Sequence, residues 1–197
     1  MRKSRLEAFS DGVLAIIITI MVLELKVPHG YELYDLKPLI PKFLSYILSF
    51  IYLAIYWNNH HHMLHTVKYV TGNILWANVH LLFWLSPIPF ATAWMGENNF
   101  KQMTMALYGI VLLMCAIAYF ILQRQIIKTH GPDSILTRAI GKDYKGKISP
   151  ILYSLAIASC WVSQWIAAAI FVLITFIWLI PDRRIEMIFK KEEVDLQ

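Results

Sequence analysis

Four stretches of this chain contain no Asp, Glu, Lys or Arg: Leu44 to Val67, Tyr69 to Gly96, Gln102 to Gln123 and Ile148 to Pro181. Each exceeds the roughly 20 apolar residues with which an α-helix crosses the hydrocarbon core of a bilayer. A further apolar run, Gly12 to Leu23, follows a short basic N-terminus. Soluble domains carry about a quarter charged residues, dispersed along the chain. Here 16% are charged, and they gather between the apolar runs. The fold class is therefore an all-α, polytopic membrane protein.

The apolar runs divide into six spans at about 8–27, 42–66, 71–95, 103–127, 147–163 and 165–181, forming one transmembrane domain over 1–197. The last two share 34 uncharged residues, too long for one crossing, and Ser163-Gln164 between Trp161 and Trp165 marks a tight hairpin at the interface. The external connection 28–41 holds Pro28, Gly30, Pro38 and Pro41, which stop the first span. Segment 128–146 reads as a cytoplasmic loop with a surface helix from Ser134 to Ile140, and 182–197 as a short charged helical extension. With the N-terminus inside, only Lys26, Lys37, Lys42 and Lys101 of the 18 basic residues fall outside, and the other 14 lie on the cytoplasmic side. That asymmetry puts both termini in the cytoplasm and accounts for the net charge of +5 without a nucleic-acid partner. Arg-Lys-Ser-Arg before a short apolar core resembles a signal peptide, but no small-residue cleavage site follows. Cys115 and Cys160 both fall inside spans and read as buried thiols, not a disulfide. No internal repeat is apparent.

Polar residues within the spans gather at one depth. Arg5, Ser10 and Asp11 open the first span; Trp57, Asn58, Asn59, His60, His61, His62 and His65 close the second; Asn73, Asn78 and His80 open the third. Antiparallel spans bring these groups to one cytoplasmic-side layer, where they either satisfy one another or snorkel to water. Asp11, in the first turns of an apolar helix, fits a network; His61, His62 and His65 fit an interfacial row. His61 and His65 are also spaced to share a metal on one helical face, but a zinc site wants a third ligand, and spans two to six contain no carboxylate. No nucleophile–base set, phosphate-binding glycine loop or paired-cysteine motif suggests an enzyme. Ile16, Thr19, Ile20 and Leu23 recur at i, i+3, i+4 and i+7, one stripe of a helix whose ordinary use is packing or lipid contact. Glu24, just beyond the stripe, reads as an interfacial marker.

Arg5-x-x-x-Phe9-Ser10-Asp11 at the head of the first span resembles the RxxxFSD signature of the transmembrane protein 175 family, the lysosomal potassium channels and their bacterial relatives. Trp57-Asn-Asn-His60 resembles that family's Trp-x-x-His, and Asn78 with Pro89-Phe90 its Asn…Pro-[Phe/Tyr] pattern. The likeness is specific over about residues 5–90. It implies a cation channel without a pore loop, and indeed no Thr-Val-Gly-Tyr-Gly occurs here. It further implies that the first helix lines a central pore, with apolar constrictions at Ile16, Ile20 and Leu23 and a polar ring at Thr19. Arg5, Phe9, Ser10 and Asp11 would then hold the bundle through Trp57, His60 and Asn78. A single six-helix repeat per chain implies the bacterial form, a homotetramer in the plasma membrane that needs no cofactor and passes potassium and other monovalent cations. Two readings from other classes remain: an ion- or proton-coupled carrier using the Asp11–His60 layer, and a non-conducting scaffold or metal binder using His61 and His65.

Overall fold

A computed structural model describes residues 2–140 and 143–179. It is all-helical, with no strand among the described residues. The elements are α1 (Lys3–Ile20), which tightens into a 3₁₀ turn over Met21–Glu24, a 3₁₀ segment at Leu33–Leu39 leading into α2 (Ile40–His65), α3 (Gly72–Leu85), α4 (Ile88–Glu97), α5 (Gln102–His130), the short α6 (Ile135–Ile140), α7 (Tyr144–Ser159) and α8 (Gln164–Leu179). Among the described residues, four segments are long and apolar enough to cross a membrane: Lys3–Glu24, Leu33–His65, Gly72–Glu97 and Gln102–His130. α7 and α8 are shorter antiparallel helices packed on each other through the turn at 160–163. The surface helix expected from Ser134 to Ile140 is α6, whose Leu136 and Ala139 are buried. The extension expected at 182–197 lies outside the described residues.

α5 is the hub. It packs most extensively on α3 and α7, also on α4, and is lined by Met105, Tyr108, Leu112, Cys115, Ala118, Leu122 and Ile126. Close approach to α7 and α8 is possible because Gly109 has no side chain: a Cβ there would lie 2.8 Å from Ile157 and 3.0 Å from Phe171. Gly96 does the same for α4 and α2, since its Cβ would meet the Ser45 hydroxyl at 2.5 Å and the Lys42 backbone at 2.9 Å. Small residues at helix crossings are the usual means of tight packing where lipid offers no hydrophobic drive. Buried hydroxyls supplement it: Thr92 donates to Ser49 at 2.7 Å, Ser49 and Tyr108 share a hydrogen at 2.9 Å, and Tyr52 donates to the Phe171 carbonyl at 2.6 Å.

Two expectations need correction. The third span is not one helix from 71 to 95 but α3 and α4, separated at Ser86-Pro87. Pro87 lacks an N–H and its ring crowds the carbonyl of Phe83, so the helical ladder stops there. The freed carbonyls are taken up locally: Ser86 Oγ donates to Phe83 at 2.8 Å, and the Cys115 thiol donates to Trp84 at 3.0 Å. The first span is α-helical from Lys3, not from about residue 8, and its regular turns end at Ile20; Leu23 sits on the 3₁₀ turn.

Candidate functional site

α1 has two seams. Leu6, Ser10, Leu14, Ile17 and Met21 follow one another every three or four residues and are buried against the subunit. On the opposite side Arg5, Phe9, Gly12, Ile16, Thr19 and Leu23 repeat at four and three, and all are exposed. Ile16 is 64%, Ile20 45% and Leu23 74% exposed, so the stripe has no cover within one chain. The Thr19 hydroxyl donates to the Ala15 carbonyl at 2.8 Å, with the Ile16 carbonyl at 3.2 Å, which ties up its proton and leaves oxygen lone pairs toward the stripe. Beside the C-terminal half of the stripe runs an open groove against α4, lined by Ile16, Ile17, Ile20, Pro89, Phe90, Ala93 and Trp94, with Glu24 and Glu97 at its end. Phe90 is 66% exposed there and stacks on Trp94. The groove is legible only in three dimensions, because α4 and α1 are distant in sequence.

The polar layer resolves into two separate pairings. Ser10, His60 and Asn78 are all buried. Asn78 Nδ2 donates to Ser10 Oγ at 2.9 Å, Asn78 Oδ1 faces His60 Nε2 at 2.7 Å, and the Ser10 hydroxyl donates to the Leu6 carbonyl at 2.8 Å. A carbonyl oxygen can only accept, so His60 Nε2 carries the hydrogen. This chain of bonds locks α1, α2 and α3 together at one level. Asp11 belongs to the second pairing: its carboxylate accepts from Trp57 Nε1 at 3.0 Å on the exposed side of α1. Asp11 and His60, expected in one layer, therefore bind different partners. Arg5 is exposed and has no carboxylate within ion-pair distance among the described residues, and Phe9 is 55% exposed. The N-terminal end of α1 is instead tied down by Lys3, which donates to the His65 carbonyl at 2.7 Å and pairs with Glu7.

His61 and His65 stack on one another (centroids 6.3 Å apart, planes 22° apart), continuing a stack that starts with Trp57 on His61. Among the described residues no three His, Cys, Asp or Glu side chains are grouped to hold a metal ion. An ion pair that no motif announced, Lys42 with Glu97 at 2.9 Å, closes the other end of the α2–α4 contact.

Known proteins share this arrangement. Residues 5–89 match the family model described as endosomal/lysosomal potassium channel TMEM175. A potassium channel of Chryseobacterium sp. (strain P1-3) is 58% identical over 97% of this chain and the whole of its own length. A potassium channel of Chamaesiphon minutus is 30% identical, over 84% of this chain and 88% of that one. The crystal structure of a lysosomal potassium-selective channel TMEM175 homolog from the same organism superposes with a TM-score of 0.79 at 28% identity, covering 91% of this chain and 97% of the other. The matched stretch spans the stripe on α1 and the pairings behind it, and the likeness in sequence and fold runs nearly end to end. This chain is a multi-pass membrane protein of the TMEM175 family of ion channels.

Proposed function

We propose that four copies of this chain close around an axis lined by the exposed stripe of α1, and that the assembly conducts potassium across a bacterial plasma membrane. Six crossings per subunit, with both termini inside, follow from hydropathy and from the basic residues. α7 and α8, about 24 Å long each at 1.5 Å per residue, would be short spans tolerated by local thinning of the bilayer. The single observation that carries the reading is the exposed stripe. An apolar stripe alone could face lipid. This one also carries the Thr19 oxygen at its middle and Arg5 at its inner end, which lipid would not solvate. The relatives' own names add potassium.

Rings of Ile16, Ile20 and Leu23 would form the narrow part, where apolar walls admit ions only when wide enough to hydrate. The Thr19 oxygens, their protons held by the helix, would offer four acceptors to a partly dehydrated cation between those rings. Ser10, Asn78 and His60 act behind the pore, by fixing the rotation of α1. A carrier using Asp11 and His60 as one site is less well supported, because those side chains hydrogen-bond different partners.

Planar-bilayer recording tests the proposal. The protein should give discrete openings, and Ile16→Asn should wet the narrowest ring and weaken discrimination of potassium over sodium. Normal assembly of Ile16→Asn with unchanged conductance and reversal potential would remove Ile16 from the constriction. Slow flux without openings would favour the carrier.

A further inference from the structure

The loop joining α2 to α3 is held by one side chain from another helix. His130, the last residue of α5, directs Nε2 at the backbone N–H groups of Lys68 (3.1 Å) and Tyr69 (3.5 Å). Its other ring nitrogen, Nδ1, lies 3.0 Å from the Ile126 carbonyl. A carbonyl can only accept, so Nδ1 carries the hydrogen and Nε2 presents the lone pair that both amides need. Tyr69 adds a ring contact at 4.9 Å and donates to the Thr129 carbonyl at 3.0 Å. This geometry exists only for neutral His130. A proton on Nε2 would set a third N–H against two others and turn the clasp into a repulsion.

The position of the clasp gives it a consequence. His60 lies in the last two turns of α2 and Asn78 in the first two turns of α3, one on each side of the clasped loop. These two residues with Ser10 fix the rotation of α1. The titratable and charged groups at this end include Lys68 and Tyr69 on the loop, Lys128 in the last turn of α5, Asp133 beyond Gly131-Pro132, and His62, His65 and Lys3 with its partner Glu7 where α2 meets the start of α1. The cations Lys3, Lys68 and Lys128 outnumber the carboxylates Glu7 and Asp133 in this set.

We propose that His130 is a proton-operated positioning residue: neutral, it pins the α2–α3 loop to α5 and keeps α1 in its conducting rotation; protonated from the cytoplasm, it releases the loop and the current falls. The second half rests on the channel reading above; the clasp itself does not.

Two measurements on the full-length protein test it. Hydrogen exchange in nanodiscs should show residues 66–71 losing about tenfold protection, after correction for intrinsic rates, between about pH 7.5 and about pH 5.5. Planar-bilayer current should fall several-fold over the same cytoplasmic range with the external side held constant. His130→Gln puts a non-titrating acceptor near the Nε2 position, so it should keep neutral-pH protection and current at both pH values. His130→Phe keeps the ring and loses the acceptor, so it should resemble acidified wild type throughout. Unchanged wild-type protection of 66–71, or His130→Gln responding to acid as the wild type does, overturns the clasp. Exchange that follows His130 while wild-type current ignores cytoplasmic pH overturns its coupling to α1. Exchange as expected in a protein that never conducts overturns the channel reading and leaves the clasp standing.

Discussion

Asn78 is the residue on which the inner layer turns, because its amide is used at both ends, once by Ser10 and once by His60. Replacing it with Leu leaves the buried His60 Nε2–H without an acceptor and Ser10 with only its bond to Leu6, and an unsatisfied buried group costs about 1–3 kcal/mol. Asn78→Leu should therefore lower the melting temperature of the detergent-solubilised protein well beyond Trp57→Phe. Trp57 is 43% exposed, and its bond to Asp11 faces the outside of the subunit, where loss of a hydrogen bond is worth about 1 kcal/mol or less. Differential scanning fluorimetry of the two variants checks the order, and equal shifts would mean that the buried chain of bonds is not the stronger lock. The members of this layer were legible in the sequence from span polarity alone. Its division into two pairings was not, since that depends on how far α1 is rotated and on side-chain torsions that spacing leaves free.

Among the elements, α1 carries Ile16, Thr19, Ile20 and Leu23 on one exposed stripe, and a 3.6-residue period fixes which side chains share such a face. The partner seam, with Leu14 and Ile17 at its centre, gives no separate signal in so uniformly apolar a run. The break between α3 and α4 was foreshadowed by Pro87 and Pro89, yet hydropathy runs smoothly through it and hides the interruption. α4 is free to lean on α2 there, and Gly96 sets how closely. Gly96→Val should push α4 off the Lys42 backbone, which cannot yield as a side chain could, at about 1–3 kcal/mol. Gly72→Ala is the control: nothing lies within 4 Å of the added carbon. Thermal denaturation in detergent should show a clear drop for the first and almost none for the second; similar drops would deny the close crossing.

At the scale of the whole molecule, the α1 stripe has no cover within one chain. If the stripe lines an axis, its residues approach their own copies, and a cysteine at Leu23 should cross-link subunits under mild oxidation. Ile151 on α7 is 60% exposed and would face lipid in the same assembly, so Ile151→Cys should stay monomeric on a denaturing gel. The native thiols give no background, as Cys115 and Cys160 are both buried. Cross-linking of Ile151→Cys but not of Leu23→Cys would turn the stripe toward lipid and undo the pore.

The sequence by itself determined that this chain crosses a membrane several times, which polar residues share a depth and which apolar residues share the α1 stripe. Those follow from one-dimensional quantities: the length of charge-free runs and helical phase. Only the tertiary structure decided which seam of α1 turns inward, that Asn78 and not Asp11 is the partner of His60, that the third span is two helices, and that His130 reaches across to the α2–α3 loop. The physical reason is that lipid is as apolar as leucine. Hydropathy therefore marks a crossing but not its facing, and rotation is set by small residues, hydroxyls and amides meeting across helices distant in sequence.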